Sequence, residues 1–171
     1  GADFTQQLAL GAGRDRLREV ARVFIVGGGA AGFAASQRLR REQYQGSIVM
    51  LSNDHASPVD RPNLSKDYLA GNAPEDWVPL RPDSFYSENG IDLRLEVDVT
   101  GIDPRSREVA IADGSKVSYD RLLLATGAEP VRLSIPGADQ PHVRTLAWLL
   151  DAHDLLDPHD PYWEHKIASL G

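Results

Sequence analysis

Cysteine is absent from all 171 residues, so the chain holds no disulfide, no thiolate nucleophile, no Cys-ligated zinc and no Cys-ligated iron–sulfur cluster. The five histidines, His55, His142, His153, His159 and His165, show no compact metal-ligand spacing. They suit surface or capping positions, and no metal site is expected. No apolar run approaches the length of a membrane span, and no secretory signal is visible, so the expectation is a cytoplasmic protein without a membrane partner. Positive charge is in deficit. With 18 Lys and Arg against 25 Asp and Glu, the net charge is −7, which disfavours broad nucleic-acid binding while leaving local cations for a small phosphate ligand. Internal repeats and low-complexity tracts are also missing.

What remains is ordinary for a globular chain: 42% hydrophobic and 25% charged residues. The length suits one well-packed domain, or one domain plus a fragment of a second. The most informative stretch is Arg22 to Ala35, an apolar run that stops on glycine and continues as an alanine-rich helix. Gly27, Gly29 and Gly32 occupy the fixed positions of a G-x-G-x-x-G pattern. The first permits a sharp turn, the second lets backbone approach a pyrophosphate, and the third lets the helix pack closely on the strand. The spacing predicts a strand over Val23 to Val26, a helix over Ala30 to Gln43 that packs through Ala31, Ala34, Ala35 and Leu39, and a second strand over Ile48 to Leu51. Together these make a βαβ unit whose helix N-terminus offers free amides to a diphosphate.

Further along, Pro58 and Pro62 predict a loop over Asn53 to Asn63. Short helices are expected over Leu64 to Leu69, ending at Gly71, and over Asp83 to Asn89, ending at Gly90. Ile91 to Thr100 alternates and is read as one strand. Ser106 to Tyr119 reads as a hairpin around Asp113-Gly114. Leu122-Leu123-Leu124 suits a strand buried on both faces, stopping at the small residues Ala125-Thr126-Gly127. An extended connection follows over Glu129 to His142, then a helix over Thr145 to Leu156 ended by Pro158 and Pro161. Residues 1–20 look like a linker or N-terminal extension, residues 21–156 like the main domain, and residues 157–171 like a tail.

Three segments in order resemble the FAD-binding domain of the flavoproteins that carry two dinucleotide-binding domains, in the ferredoxin reductase and apoptosis-inducing-factor branch. They are Val26 to Gly32 with its flanks; Asp60-Arg61-Pro62-Asn63-Leu64-Ser65-Lys66, with Asn63 where that branch has a second proline; and Tyr119 to Pro130 around Ala125-Thr126-Gly127. The resemblance implies an α/β, Rossmann-type three-layer domain for FAD and NAD(P) with an antiparallel β insertion. It further implies that Gly27, Gly29, Ala30, Ala31 and Gly32 line the FAD pyrophosphate, that Arg61 lies near the phosphates, and that Lys66 sits beside the flavin, where a cation stabilises the reduced ring. Ala125, Thr126 and Gly127 would leave room for the cofactor. Val99 matches a position whose backbone contacts adenine, and Arg144 one that contacts the phosphates. A ribose-binding acid is expected after the second strand, yet Asn53 stands there and Asp54 follows. Either Asn53 makes neutral hydrogen bonds or a one-residue shift brings in Asp54.

Without cysteine, the redox-active pair of the disulfide-reductase branch has no counterpart here. The resemblance therefore favours electron flow from NAD(P)H through FAD to a ferredoxin-like iron–sulfur acceptor. Residues 158–171 lack the second glycine motif that would bind nicotinamide, so the chain is expected to be an incomplete domain, inactive alone toward NADH and open to oligomerisation. A degenerate nucleotide-binding or interaction module is the alternative. A short NAD-binding dehydrogenase domain fits the glycine turn but not the two later segments.

Overall fold

Strands that are apolar at four consecutive positions need cover on both faces, and β1 and β2 have it over Val23 to Val26 and Ile48 to Leu51. The computed structural model describes residues 22–140 together with Val143 and Leu146. The predicted helix over 145–156 apart from Leu146, the N-terminal extension, the tail and Arg144 lie outside the described residues. In chain order the elements are β1 (Arg22–Val26), α1 (Ala30–Arg41), β2 (Ser47–Leu51), α2 (Arg61–Asn63) running into a wide π-type turn (Leu64–Tyr68), a 3-10 turn (Glu75–Trp77), α3 (Ser84–Glu88), β3 (Ile91–Arg94), β4 (Val99–Asp103), β5 (Glu108–Ile111), β6 (Lys116–Ser118) and β7 (Arg121–Leu124). By contact density the described residues divide into two units, 22–58 with 81–127 and 59–80 with 128–140.

In the first unit a parallel sheet has the order β3-β2-β1-β7, and β4-β5-β6 form a separate antiparallel sheet. Successive side chains point to opposite faces of a strand, and the two hydrophobic clusters follow that rule. Val23, Ile25, Ile48, Met50 and Ile91 face one way, with Phe33, Ala35 and Leu39 of α1 and Tyr86 of α3 packed on them. Phe24, Val49 and Leu51 face the other way against Val109 of β5, joined by Val99 and Val117. The result is three layers: helices, parallel sheet, antiparallel sheet. This is the α/β Rossmann-type architecture with an antiparallel insertion expected from the sequence. Arg40 ties the far end of α1 to the entry of β3, donating to the carbonyls of Asn89 at 2.7 Å and Gly90 at 2.6 Å, and to those of Tyr44 and Gly46.

Several expectations are corrected. Helix α1 stops at Arg41 rather than Gln43, because Gln43 takes a left-handed conformation at φ 62°. Ala31 and Ala34 are exposed, and Phe33 does the packing assigned to them. The predicted loop over 53–63 gives way to helix at Arg61, since Pro62 sits in the first turn, where its missing N–H costs nothing. The single strand predicted over 91–100 is two strands in different sheets. Glu96, at φ 55°, turns the chain between them while the apolar alternation of Leu93, Leu95, Val97 and Val99 runs on unbroken. Leu123 and Leu124 are 38% and 57% exposed, not buried on both faces, because β7 is the outermost strand of its sheet among the described residues. The hairpin at Asp113-Gly114 forms as expected, with Gly114 at φ 86° and its N–H donating to the Ile111 carbonyl.

Packing of α3 on α1 is aromatic: Phe33, Phe85 and Tyr86 make three ring pairs at centroid distances of 5.6 to 6.4 Å. Tyr86 is 2% exposed, and its hydroxyl has no hydrogen-bond partner among the described residues. Burial, then the nearby Asp83 carboxylate, raises its pKa, with Arg81 opposing. A hydroxyl held protonated in the fold but free to ionise once unfolded contributes stability that is present below about pH 10 and is lost as pH rises beyond it. Tyr86→Phe removes both the unpaired hydroxyl and that dependence. We expect it to raise the unfolding free energy by about 1 kcal/mol at neutral pH and to flatten the alkaline decline, as read by urea titrations at pH 7 and pH 10.5.

The second unit buries Val59, Leu64, Tyr68, Ala73 and Val78. Val59 bridges Pro79, and the Asp60 N–H donates to the Val78 carbonyl at 2.8 Å. The π-type turn closes toward Gly71, which adopts φ 75°. Residues 128–134 run without regular structure and carry exposed Val131 and Leu133, but the extended connection expected over Glu129 to His142 turns at 135–140, where the Ala138 N–H donates to the Ile135 carbonyl and Gly137 adopts φ 87°.

Candidate functional site

The turn between β1 and α1 is built from glycines that serve different ends. Gly27 lies at φ 117°, and a Cβ there would fall onto the Ala125 carbonyl oxygen, because Ala125 donates its N–H to Val26 at 2.8 Å and holds the end of β7 against the turn. A Cβ on Gly32 would strike the Gly27 carbonyl oxygen and lie 3.2 Å from Ile25 Cγ2. Gly28, at a variable position of the pattern, is equally constrained, since its Cβ would come within 2.6 Å of Ser52 Cβ. Sequence reasoning missed this, because nothing in the pattern marks Ser52 as a neighbour. Gly29 alone of the four faces open space, with nothing within 4 Å of a Cβ.

Helix α1 begins at this opening. Its first hydrogen bond runs from the Phe33 N–H to the Gly29 carbonyl at 3.0 Å, which leaves the amides of Ala30, Ala31 and Gly32 ahead of the ladder. Gly29 caps the helix with no side-chain hydrogen bond, the first turn holds no acid, and the last turn holds Arg38, Arg40 and Arg41. The positive end of the dipole therefore meets no acid of the helix's own first turn, and Ala30 and Ala31 are exposed with side chains too small to cover it. The arrangement suits a diphosphate, with backbone donors and an unfilled space at Gly29.

Around this turn the same unit gathers most of the expected site residues. Ser52, buried at the end of β2, packs against Gly28. Asn53 next to it is exposed, whereas the Asp54 side chain is 11% exposed and lies 3.1 Å from His55 Nδ1. Thr126 and Gly127 are exposed beyond β7, with Gly127 at φ 74° and clear space around it. The Val99 side chain is partly buried and packs against the core cluster of Phe24, Val49, Leu51 and Val109.

Arg61 and Lys66 belong to the second unit. Arg61 is half-buried at the start of α2, and Lys66 is exposed on the π-type turn, where its carbonyl accepts the Ala70 N–H at 2.9 Å. Arg144 lies outside the described residues. Among the described residues no group of His, Asp and Glu could hold a metal ion. No helix among them is long and apolar enough to cross a membrane.

Residues 21–171 match the family model for pyridine nucleotide-disulphide oxidoreductases. The rubredoxin-NAD(+) reductase of Pseudomonas putida is 39% identical over 133 residues, covering 78% of this chain and 34% of the relative. Human apoptosis-inducing factor 3 is 39% identical over 131 residues, covering 77% of this chain and 21% of the relative. Among solved structures, the covalent putidaredoxin reductase–putidaredoxin complex superposes with a TM-score of 0.72 at 34% identity, over 78% of this chain and 33% of that one. The chain thus spans about a third of the length of the reductases it matches. On the match of 21–171 and on these relatives, the chain belongs to the pyridine nucleotide-disulphide oxidoreductase family, in its ferredoxin reductase and apoptosis-inducing-factor-like branch.

Proposed function

We propose that residues 21–156 form the first part of an FAD-binding domain in an oxidoreductase that passes electrons from NAD(P)H to a ferredoxin-like iron–sulfur acceptor, in the cytoplasm. The observation that carries this reading is the opening at Gly29: three neighbouring glycines are locked by contacts with protein, and the one left open stands where uncapped amides converge. A diphosphate fits there. FAD, when bound, supplies the capacity to take up two electrons and release them one at a time. The amides of Ala30, Ala31 and Gly32 hold the negative phosphates, and Ala125, Thr126 and Gly127 keep bulk away from a planar group. Val99 would contribute backbone to the adenine, and Arg144 and Arg61 charge to the phosphates. Lys66 would place a cation beside the flavin and favour its reduced, negatively charged form.

Relatives support the acceptor class, since one is named for rubredoxin and another is seen in complex with putidaredoxin. Titration of the protein with FAD, followed by flavin emission, tests the reading. Saturable quenching is expected, and unchanged emission across the titration contradicts it in favour of an interaction module. In the FAD-loaded protein, Lys66→Met is expected to lower the two-electron midpoint potential by about 30 mV, equivalent to about 1.4 kcal/mol. A potential indistinguishable from wild type, read by spectroelectrochemistry, removes Lys66 from the site.

A further inference from the structure

Strand β3 is an open edge. Among the described residues it pairs only with β2, from Ile48 with Ile91 to Leu51 with Arg94, and no strand lies on its other side. Contacts at its end fix the direction of its backbone: the Arg94 carbonyl accepts the Ser52 N–H at 2.9 Å, and the Glu96 N–H donates to the Asp54 carbonyl at 3.0 Å. Backbone groups of successive residues point to opposite edges of an extended chain, so those of Leu93 and the N–H of Leu95 point away from β2. Such a row is a template on which another extended chain adds as a further strand.

A groove of about 580 Å³ runs along this edge. Its apolar wall is made by Ile91, Leu93 and Leu95 together with Tyr86 of α3, whose ring is held by contacts with Phe33 and Phe85. No described residue of β2 or α1 lines it, which places the groove on the outer side of β3. The charged residues along it are Asp83 and Asp92, both acids. The acidity extends past the groove: the stretch from Arg81 to Asp98 carries five carboxylates against Arg81 and Arg94. Arg94 is already engaged, donating to Asp92 Oδ2 from Nε at 3.0 Å and from Nη2 at 2.7 Å. A surface of this sign attracts a positive partner. Side chains of an added strand would alternate, half entering the groove beside Leu93 and half lying on the face that carries Asp92. We propose that the outer edge of β3 and its groove dock an extended segment of a partner protein in which apolar residues alternate with lysine or arginine. The surface lies wholly within the first unit and needs no bound cofactor.

The test follows amide hydrogen exchange of the isotopically labelled chain during titration with a short blocked peptide of alternating lysine and valine. Exchange at Leu93 and Leu95 is expected to slow about tenfold at saturation. The same peptide N-methylated throughout, which has no N–H to donate to the strand, should bind about tenfold more weakly. Replacing its lysines by glutamate should cost about fivefold. Ser87→Trp, which fills the groove, is expected to weaken binding about tenfold, and Asp83→Lys about threefold. Both side chains are exposed, so thermal unfolding should match wild type; where a variant does not fold, the three peptides on wild type decide. Unchanged exchange at Leu93 and Leu95, or equal binding of the N-methylated peptide, overturns strand addition. Equal binding of the glutamate peptide overturns the basic partner. Protection of the same amides that grows with protein concentration and without peptide gives the edge to a second copy, and equal slowing by butylamine gives the groove to small amines; either result overturns the proposal.

Discussion

Gly27→Ala is expected to destabilise the chain by about 3 to 5 kcal/mol, enough to unfold much of a domain of ordinary stability. Two costs add. The backbone at φ 117° is one that an L side chain rarely adopts, and the new methyl would be driven into the Ala125 carbonyl oxygen. Relief would require β7 to move away from β1, although the pair is held in parallel register from Val23 with Arg121 to Val26 with Leu124. The exposed outer side of β7 gives that strand somewhere to go, so its pairing should be the first to fail. Urea unfolding followed by circular dichroism checks the magnitude. A loss under about 1 kcal/mol would mean that the turn relaxes without cost, contrary to the packing described.

Gly29→Val carries the opposite signature. Gly29 has φ −76° and ψ −174°, extended backbone open to any residue, and a Cβ there meets nothing within 4 Å. Stability should stay within about 1 kcal/mol of wild type. Yet a branched side chain would fill the space through which a diphosphate reaches the amides of Ala30 to Gly32. FAD affinity should fall on the order of a hundredfold, or about 2.8 kcal/mol. The two variants separate architecture from ligand binding within one turn: one glycine is required by the fold, and on the proposed function the other is required by the phosphate. A Gly29→Val protein that binds FAD as wild type does would show that the cofactor enters elsewhere.

Much of this was legible in the sequence where local chemistry and tertiary structure agree. The glycine spacing after an apolar run announced β1, α1 and β2, and Asp113-Gly114 announced the hairpin of β5 and β6. Part of what stayed hidden lies in chain reversals made by residues with no turn signature. Gln43, Glu96 and Arg107 all adopt left-handed backbone without being glycine, and at Glu96 this ends one sheet and starts another inside an uninterrupted apolar alternation. The apolar run at Leu122 to Leu124 marked a strand correctly but not its surroundings, because burial depends on what lies beside it. At the site, the pattern identified Gly27, Gly29 and Gly32 without telling which of them the protein itself requires. It left Asn53 and Asp54 as equals; the structure differs between them in burial, with Asn53 exposed and the Asp54 side chain 11% exposed.

On the proposed function, the amides at the start of α1 receive a diphosphate. Titrating isotopically labelled protein with ADP while recording backbone amide resonances tests it most directly, since ADP carries that group together with adenosine and no flavin. Saturable shifts are expected that are largest at Gly29, Ala30, Ala31 and Gly32 and absent in Gly29→Val. Shifts centred away from the turn, or none at concentrations that saturate FAD binding, would contradict it.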